Sequence, residues 1–105
     1  MKSLKIIKEE PFEIEIYHAL IIVCSIEKPD ERFVGRVDCD EDGVIYVSLF
    51  MPEITTGIIV HESIHVAYNV FHNKGIYCNP DNHEHFAYLV EYVFNKISKI
   101  IENFK

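Results

Sequence analysis

The order of apolar and polar positions divides the chain near Phe50, with strand-like patterning before it and helical patterning after it. "PFEIEIYHALIIVCSI", residues 11–26, opens with alternation at Phe12, Ile14 and Ile16, then turns continuously apolar and β-branched. It reads as one central strand, with helix as the alternative for its second part. "RFVGRVD" and "GVIYVSLF" flank "CDED", and Asp42-Gly43 between two β-prone runs predicts a hairpin. Gly35 inside the first of these runs marks a bulge or irregularity. Beyond Pro52, Thr55 or Thr56 can cap a helix that takes in Gly57, runs to about His72 and ends at Asn73 or Gly75. A loop, "NKGIYCNPD", follows, and Asp81 or Asn82 caps a second helix reaching nearly to the C-terminus. Its apolar stripe is Phe86, Leu89/Val90, Val93, Ile97, Ile100/Ile101 and Phe104, at helical spacing. Strands first and helices last predict an α+β fold: a short, mostly antiparallel sheet with helices packed on one face.

Length and composition narrow this picture. At 105 residues, 49% hydrophobic and 26% charged, the chain suits one globular domain, 1–105, with one modest core. The longest unbroken apolar run, residues 19–24, is too short to span a bilayer. "MKSLKIIKEEPFEIE" has neither a sustained apolar stretch nor a small-residue cleavage site, so it does not read as a signal peptide. Cys24, Cys39 and Cys78 cannot all pair with one another, which favours reduced thiols in a cytoplasm. The formal charge of −7 is uneven, because residues 9–53 set twelve acids against Lys28, Arg32 and Arg36. With no basic stripe, neither a nucleic-acid nor a membrane partner is expected, and the acidic half reads as a solubilising face rather than an acidic recognition surface.

The candidate chemistry lies in "IIVHESIHVAYNVFH", residues 58–72. On a helix, His61 and His65 share one face a turn apart and can present both imidazoles to one point. Neutral imidazole is a good zinc ligand, and catalytic zinc usually keeps three protein ligands and an open position. Glu62 is placed to act on the water of such a site as general base, in the H-E-x-x-H arrangement of zinc peptidases. A third ligand is needed. Glu84, in the first turn of the second helix after a gap of eighteen residues, is the natural candidate if a turn between antiparallel helices brings it back to the pair. Asp81, His83, His85, Glu91 and Cys78 are the alternatives. Glu91, on the same helical face as Glu84, is either an acceptor for a ligand histidine or a solvated glutamate. Tyr88, one turn after Glu84, could donate to the oxyanion of a tetrahedral intermediate, or simply pack between helices. His83, His85 and Tyr77 compete for the oxyanion role. His72 reads as a surface residue, His18 as a strand histidine without a role, and Cys24 and Cys39 as core or strand thiols.

"HESIH" at 61–65 followed by Glu84 in "NHEHFAY" resembles the gluzincin class of HExxH metallopeptidases. Aminopeptidase-type members share a similar gap and the x-Phe-Ala that here follows as His85-Phe86-Ala87. "VHESIHVAY" with "DNHEHFAYLVEY" is also similar to small zincin-like proteins carried by phages and prophages. The resemblance covers residues 57–95. It implies a minimal zincin-like domain with zinc held by His61, His65 and Glu84, and with Glu62 as catalytic base. It also implies that the strand before the motif helix, residues 44–50, is a cleft edge along which a peptide can add as a strand. Where thermolysin-like members carry an acid four residues after the ligand glutamate, this chain has Tyr88. Nothing near residues 43–48 resembles the amine-recognition segment of the aminopeptidases, so exopeptidase specificity is not implied. The expected function is zinc-dependent hydrolysis of a peptide bond in a peptide or protein substrate, with other divalent transition metals also compatible with a His/His/Glu set. The alternative is a non-catalytic, metal-stabilised binding or regulatory module of phage type. The plainest alternative is a helical domain without metal.

Overall fold

The computed structural model describes residues 4–29 and 32–105. Among these, four strands form one sheet in the order β1-β2-β4-β3, with β1 at Ile6–Ile14, β2 at Ala19–Ile26, β3 at Gly35–Cys39 and β4 at Ile45–Leu49. β1 with β2 and β3 with β4 are antiparallel, while β2 with β4 is parallel. Helices α1, Thr56–Asn73, and α2, His83–Phe104, complete an α+β fold. α1 lies over β3 and β4, and α2 over β1 and β2. No described helix is long and apolar enough to cross a membrane.

One core joins the layers. Ile21, Val23, Ile45, Val47 and Leu49 on the sheet meet Val66 and Val70 of α1 and Leu89, Val93 and Ile97 of α2. Burying each such branched side chain contributes roughly 1.5–3 kcal/mol. The α2 stripe matches the expected one: Leu89, Val93, Ile97, Ile100 and Ile101 are buried, and Phe86, Val90 and Phe104 pack partly against them. α1 starts where expected, the Thr55 hydroxyl accepting from the Ile58 backbone N–H at 3.2 Å. The Asp42-Gly43 hairpin also forms. Asp40 Oδ1 accepts from the backbone N–H groups of Asp42 and Val44, and Gly43 takes φ 85°, where a side chain would be strained.

Three expectations are corrected. Residues 11–26 are not one strand but the end of β1 and all of β2, joined by a 3-10 turn at Glu15–Tyr17. His18 closes that turn at φ 49°, a left-handed conformation that costs roughly 1 kcal/mol for a residue with a side chain. The strand at residues 44–50 is not an edge. β4 lies between β2 and β3, with Ile45, Val47 and Leu49 fully buried, and the edge on that side is the charge-bearing β3. Gly35 is no bulge either, since it pairs in regular register with Leu49.

Because side chains alternate along a strand and Val23 faces the helices, Cys24 points to the other side of the sheet, yet it is buried. Burial, and then the nearby Glu9 carboxylate, push its thiol up to about 11. At pH 8 such a thiol is ionised about one part in a thousand, and the thiolate is the reactive form. Alkylation at pH 8 followed by peptide mass spectrometry should therefore modify the exposed Cys39 and Cys78 while sparing Cys24 until the protein is unfolded. Equal labelling of all three thiols in the folded protein would contradict the packing of this face.

Candidate active site

α1 presents both motif histidines to solvent and turns Glu62 inward. The His61 and His65 Nε2 atoms stand 3.1 Å apart, with ring centroids at 4.7 Å and planes inclined by 75°. Two nitrogens each about 2.0–2.1 Å from one tetrahedral ion would be separated by about 3.3 Å, so the pair is spaced as two ligands of one cation. In a neutral pair without metal the same distance serves one N–H···N hydrogen bond. Asn69, one turn on, donates its side-chain amide to the His65 carbonyl at 2.8 Å.

Glu62 is only 5% exposed. Burial raises its carboxyl pKa above the ordinary value, while His61 and then His65 pull it partly back down. A base with a raised pKa binds a proton more firmly, as a general base working near neutral pH requires. The carboxylate lies on the wall of a cleft of about 960 Å³ that His61 shares with Gly35, Phe33, Val34, Phe50, Thr55 and Ile58. Lys28 and Arg32, two of the three cations in the acid-rich half, also line it.

Gly35 explains how Glu62 fits. A Cβ built at Gly35 would lie 2.9 Å from Glu62 Cγ and 3.0 Å from its Oε2. The strand glycine therefore marks a close approach between β3 and α1, and an isolated strand glycine is the signal that could have revealed it. Gly35→Ala should cost about 1–2 kcal/mol in urea unfolding, as overpacking does. In a Glu62→Ala background most of that cost should vanish, because the two positions are in contact. Additive losses in the double mutant would show that the two do not share space.

The remaining candidates are placed elsewhere. The Phe71 and Phe86 rings meet at 5.3 Å, which sets the first turn of α2 beside the last turn of α1. Lys8 Nζ donates to the Phe104 carbonyl at the other end of the sheet, so α2 runs back antiparallel to α1. His65 and His61 lie six and ten residues before Phe71, a rise of about 9 and 15 Å. The turn thus returns Glu84 to the end of α1 and not to the histidine pair. Its side chain is 71% exposed and stands 3.7 Å from His83 Nε2. Among the described residues, no three His, Cys, Asp or Glu side chains gather in a metal-holding arrangement. Tyr88 and His85 line a second cleft, on the β1 side of α2 and apart from His61 and Glu62. His83 Nδ1 sits 3.0 Å from the Pro80 carbonyl, Glu91 and Cys78 are exposed, and His72 stacks on Tyr68. Comparison of the chain with models of protein families, with curated proteins and with solved structures gives no match.

Proposed function

We propose that this chain is a divalent-metal-dependent hydrolase of peptide bonds, of the zincin type, acting on a peptide or protein in a reducing, cytoplasmic setting. One observation carries the reading: two imidazole Nε2 atoms converge to 3.1 Å beside a buried carboxylate on the wall of an open cleft. His61 and His65 would hold the metal. Glu84, the third ligand that the motif spacing implies, stands at the far end of the helix pair in this fold, so the metal reading rests on the histidine pair. Zinc bound there would acidify water toward a pKa of about 7 and polarise a carbonyl. Glu62 supplies the proton chemistry, taking a proton from the attacking water and returning it to the leaving amine. Its burial strengthens it for the first task. β3, as the sheet edge beside Glu62, offers backbone groups with which an extended peptide can pair. The three free thiols fit a reducing compartment.

A purely structural metal site is less well supported. Such sites close four ligands around the ion and have no use for a buried, non-ligating carboxylate. The test is incubation of the zinc-supplemented protein with a peptide library, read by mass spectrometry. Cleavage that a chelator stops and added zinc restores is expected. A library left intact by protein shown to carry zinc would overturn the hydrolase reading.

A further inference from the structure

Two imidazoles fill half of a tetrahedral zinc shell. His61 and His65 set their Nε2 atoms 3.1 Å apart on the solvent side of α1, and among the described residues no third His, Cys, Asp or Glu joins them. Water can take the open positions, but imidazole is the better zinc ligand. The surface around the pair is unlike the rest of the molecule. Histidines aside, α1 has one ionisable acid or base along its whole length, Glu62, and that side chain is buried. What the helix shows to water beside the histidines is Val60, Ile64 and Tyr68, 40%, 45% and 60% exposed at successive turns of one side. The other helix, by contrast, spreads Glu84, Glu91, Lys96 and Glu102 over its exposed side. A helix face without charges and with an exposed aromatic has the composition of an interface centre.

A second copy of this chain meets both needs. Closed dimers are two-fold symmetric, so an ion on the axis would receive the same two ligands from each copy. Four imidazoles then complete its shell. The net charge of −7 makes two copies repel, and α1 is where that charge is absent from the surface. We propose that when zinc is scarce two copies pair through the exposed face of α1, sharing one ion among His61 and His65 of both. The proposal rests on the metal reading of the histidine pair and adds its regulation. His61 lines the cleft that Glu62 walls, so a copy seated on α1 covers the mouth of that cleft and holds the chain in a latent form. Excess zinc gives each histidine pair its own ion and releases two loaded monomers.

The test is native mass spectrometry with sedimentation velocity on the whole protein, at half an equivalent of zinc per chain and at about tenfold excess. Expected are a dimer carrying one ion at the lower ratio, and monomers carrying one ion each at the higher. The metal-free chain should be monomeric. Tyr68→Glu keeps both ligands and should raise the dimer dissociation constant at least about tenfold, because pairing would bury an uncompensated carboxylate from each copy. It should still bind one ion per chain in excess zinc. Tyr88→Glu places the same charge on α2 and should leave the dimer unchanged. Monomers at half an equivalent, with half of the chains loaded, would overturn the pairing and leave the metal site standing. Chains that take up no zinc at either ratio would overturn both. A dimer that forms without zinc, or that persists in His65→Ala or Tyr68→Glu, would overturn the proposal by placing the contact elsewhere.

Discussion

Glu62→Gln should lower peptide turnover by about 10²–10⁴-fold, the usual share of a general base, while leaving the fold slightly more stable than wild type. The two effects have one cause. Glu62 is buried, and burial raises its carboxyl pKa, so the native state prefers the protonated form. Above the ordinary carboxylate pKa the unfolded chain ionises freely while the native chain resists. Across that window the native state binds more protons, and stability falls as pH rises toward and through the raised pKa. A glutamine has nothing to ionise. The variant should therefore be more stable than the metal-free wild type at neutral pH, with the gain shrinking as pH falls through the ordinary carboxylate range. Opposite signs in turnover and stability separate a strained functional carboxylate from a structural one. A variant that is both less stable and equally active would remove Glu62 from the mechanism.

Metal removal should produce the other large effect. An ion that binds only the folded state stabilises it by mass action, about 2.7 kcal/mol when free metal is a hundred times its dissociation constant. For a domain of this size each kcal/mol moves the melting temperature by roughly 4–8 °C, so a chelator should lower it by about 10–20 °C. His61→Ala is the control. His61 is exposed, so its loss should change the metal-free melting temperature little, surface substitutions usually costing within about 0.5 kcal/mol. The chelator effect should nevertheless disappear in that variant. A wild-type melting curve indifferent to both zinc and chelator would leave the histidine pair as a surface hydrogen bond.

What was legible in the sequence was local. Thr55 capping α1, Asp42-Gly43 turning the hairpin and the stripe from Leu89 to Ile101 on α2 are each decided by neighbours within a few residues, and all are found. The i,i+4 convergence of His61 and His65 is local in the same sense. The β1–β2 turn was hidden because a histidine, and not glycine or asparagine, adopts its left-handed position. Pairings between distant segments were hidden as well. Whether β4 or β3 forms the edge depends on β2 joining β4 in parallel, for which no turn residue gives a sign. The places of Glu84 and Tyr88 follow from the Phe71–Phe86 contact and from which side of α2 faces β1, both tertiary facts. Gly35 was visible as an odd residue in a strand, but its reason, the Glu62 side chain from another element, was not.

Native mass spectrometry of protein expressed with added zinc tests the histidine pair most directly. One zinc ion per chain is expected in the wild type, with none in His61→Ala or His65→Ala, and full occupancy kept in Glu62→Gln. A wild-type chain without zinc, or a His61→Ala chain that still carries it, would contradict the metal site and the hydrolase built on it.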